Sequence, residues 1–205
     1  MELTIIIIAG IIAGIVMKLV ANMVAVDFKA KITMYFIVMI VLNILIFIAV
    51  YLKNGFCIQT FIIAFIFSLF FLLSIVDYHF HAIPDMLSLG LFSAALFSGG
   101  FIDSLHASLI VVGFMTMLRY FVSYFLDKEA MGEGDIIIGG AMGAFIGISM
   151  AFMSLFVAAL LALPFAYIAK LSGKPVPFVP FLFMGTFLTY IFSPYAEAYL
   201  KSIGL

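Results

Sequence analysis

The chain has 205 residues, of which 67% are hydrophobic and 9% are charged. A soluble domain has roughly 45–50% apolar and about 25% charged residues, so this composition excludes a water-soluble globular protein and indicates an outer surface that faces lipid. Nine Lys and Arg against ten Asp and Glu give a formal net charge of −1, which excludes the basic surface that nucleic-acid binding requires.

Long apolar runs separated by short polar connections predict about eight membrane helices. Unpaired backbone groups cannot face lipid, so runs of this length must be helical. The predicted helices are Leu3–Val24, Thr33–Leu52, Ile58–Val76, Met86–Gly100, Ala107–Leu126, Ile136–Gly147, Ser149–Ala169 and Phe181–Leu200. The predicted fold class is an all-α polytopic membrane helix bundle, and residues 1–205 are expected to form a single transmembrane domain.

The basic residues predict the orientation of the chain. Most of those in the connections fall on one side of the predicted bundle, at Lys29, Lys31, Lys128, Lys170 and Lys174. Positively charged connections stay in the cytoplasm, so the N-terminus is predicted to lie outside. Two crossings separate Asp77 from Asp135, and both are therefore expected at the cytoplasmic face.

Six of the ten acidic residues lie in two cytoplasmic connections, Asp77–Asp85 and Asp127–Asp135. Asp77 follows a long apolar run, and ionisable groups at such a membrane boundary are usually functional. Asp135 follows Gly132 and Gly134, which permit close approach of the backbone. Two carboxylates held together in a low-dielectric setting cannot both ionise easily, so one keeps a proton. This pairing indicates aspartyl protease chemistry, which needs no metal or cofactor.

Three motifs stand in order along the chain: Asp77-Tyr-His-Phe-His-Ala-Ile-Pro-Asp85, then Gly132-Glu-Gly-Asp135, then Pro177-Phe-Val-Pro180. Together they resemble the motifs of the type IV prepilin peptidases, which are GxGD aspartyl proteases of the membrane. The resemblance implies that Asp77 and Asp135 are catalytic. It also implies residues that shape the loops, namely Gly132, Gly134, Pro84 and Asp85.

The resemblance further implies an aspartic endopeptidase that cleaves the short basic leader of type IV prepilins or pseudopilins, in a pilus or type II secretion system. Cleavage is expected at the cytoplasmic face of the bacterial inner membrane, with the hydrophobic helix of the substrate approaching from the lipid bilayer. Glu129 and Glu133 are candidates for attracting the basic leader. Larger members carry a cytoplasmic CxxC domain after the first helix, whereas only Ala25–Ile32 stands there in this chain. The resemblance therefore gives no support for N-methyltransferase activity.

Three alternative interpretations concern the acidic residues and their neighbours. The first is a small proton- or cation-coupled transporter with its acids along a pathway, although no acid falls near the middle of a predicted helix. The second is a metal site formed by His79 and His81 with Asp77 and Asp85. The divergent directions of two histidines two apart on a helix disfavour it. The third concerns Arg119, for which both snorkelling to the interface and pairing with an acid near the two aspartates stay open.

Overall fold

A computed structural model of the chain describes residues 1–27, 36–126, 131–172 and 176–202. These ranges form α-helices and contain no strand, which confirms the predicted all-α class. In chain order the helices are α1 (Glu2–Asp27), α2 (Phe36–Asn54), α3 (Ile58–Phe80), α4 (Asp85–Leu96), α5 (Phe101–Leu126), α6 (Glu133–Ile146), α7 (Ile148–Ser172), α8 (Val179–Ile191) and α9 (Ser193–Ser202).

Five of the described helices, α1, α2, α3, α5 and α7, are long and apolar enough to cross a membrane. The chain is thus a multi-pass membrane protein. Helices α4, α6 and α8 have 12, 14 and 13 residues, or about 18–21 Å at 1.5 Å per residue. The hydrocarbon core is about 30 Å thick. Helices therefore form at all eight predicted places, but by length five of them qualify as full spans.

The last predicted helix, Phe181–Leu200, is two helices in the structure. Helix α8 ends at Ile191 and α9 begins at Ser193, because Pro194 has no N–H with which to continue the hydrogen-bond ladder of α8. The Lys53 ammonium at the end of α2 lies against this break and donates a hydrogen bond to Ser193 Oγ at 2.7 Å. The prediction of one continuous helix was wrong here.

The predicted connection Asp77–Asp85 is shorter than expected. Helix α3 continues through Phe80 and ends at His81, which has a left-handed conformation with φ 49°. The His81 N–H donates to the Asp77 carbonyl at 2.8 Å and closes the last turn. Asp77 therefore lies on a helix, one turn from its end, and not in a loop.

Helix α3 is the most buried of the described helices of spanning length. It contacts α1, α2, α4 and α8, and its Phe67 and Phe70 side chains are almost fully buried. Both rings pack edge-on against Phe183 of α8, with ring centroids 6.4 Å and 5.8 Å apart. Such aromatic contacts add to the burial of apolar area, and they hold the first half of α8 beside the middle of α3.

Candidate active site

Four segments enclose a cavity of about 620 Å³ at the C-terminal end of α3. They are the end of α3 with the residues that follow it, the start of α6, the middle of α7 and the segment before α8. The residues that line the cavity include Asp77, His81, Ile83, Glu133, Asp135, Ala162, Ala166 and Phe178. The structure thus brings Asp77 and Asp135, 58 positions apart in the sequence, to one cavity.

The Asp77 carboxyl is buried, with 6% of the residue exposed. Its Oδ2 atom accepts a hydrogen bond of 3.1 Å from the N–H of Val179, the first residue of α8. The first amides of a helix have no partner inside the helix, and a helix N-terminus favours negative charge. The start of α8 therefore suits a carboxylate at this place.

Asp135 is the third residue of α6, and its Oδ2 atom accepts a hydrogen bond of 3.1 Å from the Gly132 N–H. This contact closes the first turn of α6, as a capping side chain does. Burial and then the negative charge of Asp77 raise the pKa of Asp135 to about 6. Both effects penalise the ionised form, so Asp135 is suited to hold a proton close to neutral pH.

The two motif segments touch at Gly134 and Ile83. A Cβ atom at Gly134 would lie 2.6 Å from Ile83 Cδ1 and 2.9 Å from Ile83 Cβ, so a side chain there would push the segments apart. At Gly132 the φ angle is −70°, and a Cβ atom would lie at an ordinary 3.4 Å from Asp135 Oδ2. The close approach expected at both glycines is present only at Gly134, and Gly132 contributes its N–H instead.

Pro84 and Asp85 begin α4. The Pro84 carbonyl accepts hydrogen bonds of 3.1 Å from the N–H groups of Leu87 and Ser88. Asp85 is exposed in the first turn of α4, where a negative charge interacts favourably with the helix dipole. It does not line the cavity, and its role in shaping the loop stays a prediction.

Glu133 lies at the rim of the cavity with its side chain 85% exposed. The Arg119 Nη1 atom of α5 is 3.4 Å from Glu133 Oε1. The structure thus shows Arg119 paired with an acid near the two aspartates, one of the alternatives left open above. Glu129, the other acid expected to attract a basic leader, lies outside the described residues.

The type IV leader peptidase family matches residues 63–167, which is just over half of the chain. The chain belongs to this family. A prepilin leader peptidase/N-methyltransferase from Dichelobacter nodosus is 33% identical over 129 residues, which cover 58% of this chain and 44% of that protein. The match thus spans less than half of that relative's length. No solved structure matches the chain.

The metal-site alternative concerned His79 and His81, two of the three histidines of this leader peptidase family member. His79 is exposed, and its ring centroid is 5.6 Å from that of Tyr78. His81 is exposed and lines the cavity with Asp77. Over the ranges that the structure describes, no three His, Cys, Asp or Glu side chains are grouped as metal ligands are.

Sequence reasoning missed two contributions to the site. Val179 acts through its backbone N–H, which no residue type reveals, although the flanking Pro177 and Pro180 marked the segment. Ala162 and Ala166 of α7 lie one turn apart on one face of the helix and line the cavity opposite the aspartates' helices. Small side chains at helical spacing are ordinary packing residues, so the sequence carried no specific signal for them.

Proposed function

We propose that this chain is an aspartic endopeptidase that removes the short basic leader of a type IV prepilin or pseudopilin. Cleavage would occur at the cytoplasmic face of the bacterial inner membrane. One observation carries the proposal: Asp77 and Asp135 line one cavity, in a chain of the type IV leader peptidase family. Two carboxyls that share a cavity in low dielectric are the groups that aspartyl protease chemistry needs.

The surroundings of the two carboxyls indicate which one acts as the acid and which one acts as the base. Asp135 holds a proton up to about pH 6 and acts as the acid toward the carbonyl oxygen of the scissile peptide bond. Asp77 acts as the base and takes a proton from the attacking water, whose oxygen adds to the carbonyl carbon. When the resulting diol collapses, the carbon–nitrogen bond breaks, the amine leaves with the proton that Asp77 took from water, and one diol hydroxyl returns a proton to Asp135. No cofactor is required.

The walls of the cavity suit a substrate with a basic leader and a hydrophobic helix. The exposed Glu133 carboxylate at the rim attracts positive charge, and Glu129 is a second acid four positions earlier in the sequence. On α7, Ala162 and Ala166 leave room in the cavity, whereas Leu163 and Phe165 are exposed on the outer surface. A substrate helix in the bilayer would therefore approach along α7.

Cleavage of a co-expressed prepilin, followed by its shift in gel mobility, tests this function. We expect Asp77→Asn and Asp135→Asn each to lose about 100- to 10,000-fold in cleavage, because Asn keeps the shape but cannot exchange the proton. Asp85→Asn and Asp103→Asn are the matched controls, since both carboxylates are exposed and lie outside the cavity lining. Asp103→Asn is expected to cleave like the wild-type chain, and Asp85→Asn is expected to keep most of the activity, because its carboxylate shapes the loop but does not line the cavity.

If Asp77→Asn or Asp135→Asn cleaves as well as the wild-type chain at equal levels in the membrane, the aspartic mechanism is wrong. If the wild-type chain cleaves none of a panel of prepilins and pseudopilins, the proposed substrate class is wrong. Proton and cation flux in liposomes would then test the transporter alternative directly, with the same two Asn variants as controls.

A further inference from the structure

The contact between α3 and the first residue of α8 has two parts that the aspartate pair alone does not require. The Val179 N–H donates to Asp77 Oδ2 at 3.1 Å. The Val179 carbonyl lies 3.5 Å from the Ser74 hydroxyl, and Ser74 is one turn before Asp77 on the same face of α3. Val179 is fully buried and Ser74 is 5% exposed, so water does not replace either contact.

The sequence around Val179 makes its amide available for this purpose. Pro180 follows it at the start of α8 and has no N–H to offer. The later amides of Phe181 and Leu182 are used, because both donate to the Phe178 carbonyl at 3.0 and 3.1 Å. The Val179 N–H therefore has no acceptor inside α8, and it donates to Asp77 instead.

We propose that the Val179 N–H, held in place with the help of the Ser74 hydroxyl, positions the Asp77 carboxyl for catalysis. The inference rests on the proposed peptidase function and deepens it. With Oδ2 engaged by the Val179 amide, the carboxyl is held in one orientation in the wall of the cavity. Val179 and Ser74 are positioning residues in this arrangement, since both act through Asp77.

A measurement at several pH values distinguishes the positioning of Asp77 from simple packing. Its result depends on the charged groups around Asp77. In the part of the chain that the structure describes, these are Asp135 and Glu133 on α6 and His81 after α3. The α7 wall contributes alanines, and the segment before α8 contributes Val176, Pro177 and Phe178. Among the described residues of these two segments, none adds a titrating side chain to the cavity wall.

The first experiment compares Val179→Pro with Val179→Ala. Proline is accepted at the first position of a helix and deletes the amide N–H, whereas alanine keeps it. We expect Val179→Pro to lower kcat about 10- to 100-fold relative to Val179→Ala, with KM unchanged, because a hydrogen bond to a charged group is lost. The acidic limb of its pH profile should move to higher pH, since the lost bond favoured the ionised form of the pair.

Proline also strains Phe178, whose helical conformation is disfavoured before proline, so a second readout is independent of activity. The deficit in melting temperature of Val179→Pro against Val179→Ala should be larger at about pH 8 than at about pH 4, because the lost bond is stronger to a charged carboxylate. Strain alone gives the same deficit at both pH values. Equal deficits together with an unshifted kcat profile overturn the proposal.

Ser74→Ala and Ser68→Ala form a matched pair that decides the matter if Val179→Pro does not fold. Both hydroxyls are buried on α3 and donate at 2.9 Å to the carbonyl four residues earlier, but Ser74 also reaches Val179. We expect Ser74→Ala to lower kcat about 2- to 10-fold and Ser68→Ala to leave it unchanged; equal effects overturn the proposal.

A wild-type chain that cleaves no prepilin overturns the peptidase function, while the pH-dependent melting difference still supports the positioning of Asp77.

Discussion

Asp135 shows how the surroundings of one side chain set its chemistry. Its carboxyl is partly buried at the start of α6 and shares a cavity with a second acid. Burial and the Asp77 charge raise the pKa of Asp135 from 3.8 to about 6. Two predictions follow from the direction of this change, one for activity and one for stability.

The activity of the wild-type chain should fall as the pH rises through about 6, because Asp135 then loses the proton that an acid must donate. The profile of kcat/KM against pH reports groups of the free enzyme and is the measurement to make. A profile that stays flat from about pH 5 to about pH 8 would contradict the assignment of Asp135 as the acid.

The folded state should lose stability over the same pH range. Since the pKa of Asp135 is higher in the folded than in the unfolded chain, the penalty is absent below about pH 4 and complete above about pH 6. Asn is neutral throughout, so Asp135→Asn should be more stable than wild type at neutral pH, by at most about 3 kcal/mol. Thermal unfolding in detergent across this range measures the difference, and Asp103→Asn, at an exposed carboxyl, is the control.

At the scale of elements, the site is built where helix ends meet. The end of α3 and the starts of α6 and α8 supply the aspartates and the amides that bind them. Two close contacts accompany this arrangement, one between Gly134 of α6 and Ile83 in the segment between α3 and α4, and one between Gly185 of α8 and α7. A Cβ atom at Gly185 would lie 2.5 Å from the Ser154 carbonyl oxygen and 2.9 Å from the Ala158 nitrogen of α7.

Gly134→Ala should displace the start of α6 and reduce cleavage more than Gly132→Ala. At Gly134 the new methyl group meets Ile83 at 2.6 Å, whereas at Gly132 its nearest contact is 3.4 Å. Overpacking of this kind costs typically 1–3 kcal/mol, about 5- to 150-fold in rate if the site bears the full cost. Ile83→Ala removes the nearest atom and should restore part of the activity of Gly134→Ala. An additive double mutant in the cleavage assay would contradict a direct contact.

Gly185→Ala should destabilise the α7–α8 pair, because the atoms it meets are backbone and cannot rotate away. We expect a loss of about 1–3 kcal/mol, measured by thermal unfolding in detergent. Gly90 on α4 is the matched control, since a Cβ atom there meets nothing within 4 Å. Gly90→Ala should be neutral or stabilise the helix by up to about 1 kcal/mol. The same response at both glycines would show that the close crossing is not what Gly185 provides.

At the scale of the whole molecule, the orientation in the membrane decides which compartment the cavity faces. The connection between α2 and α3 holds Cys57, the one cysteine of the chain, and its thiol is exposed. The charge distribution predicts that this connection lies outside, opposite the cavity. Hydrogen bonding with the Thr60 side chain lowers the pKa of the Cys57 thiol, which favours the reactive thiolate.

A membrane-impermeant maleimide applied to intact spheroplasts should therefore label Cys57. The control is Glu133→Cys in a Cys57→Ser background, which places a thiol at the exposed rim of the cavity and should be labelled only after the membrane is opened. The reverse pattern would place the cavity outside and exclude cleavage of a leader in the cytoplasm.

Much of the architecture was predictable from local patterns. Apolar runs located α1, α2 and α7, and the charge pattern with the motif order pointed to Asp77 and Asp135. The errors occur where local signals compete. Asp77 ends an apolar run, which predicts a loop, although its carbonyl closes one more turn with His81. Ser193 and Pro194 lie inside an apolar stretch, which predicts one continuous helix, although proline ends the hydrogen-bond ladder there.

The sequence by itself determined that this is a helical membrane protein with an acidic pair in family motifs, because hydropathy and motif spacing are properties of the chain. Only the tertiary structure decided which backbone groups reach those acids. The Val179 amide, the Gly134 contact with Ile83 and the Arg119 pair with Glu133 each join segments that are distant in the sequence. Such contacts depend on how the helices pack, and a backbone N–H is the same in every residue except proline.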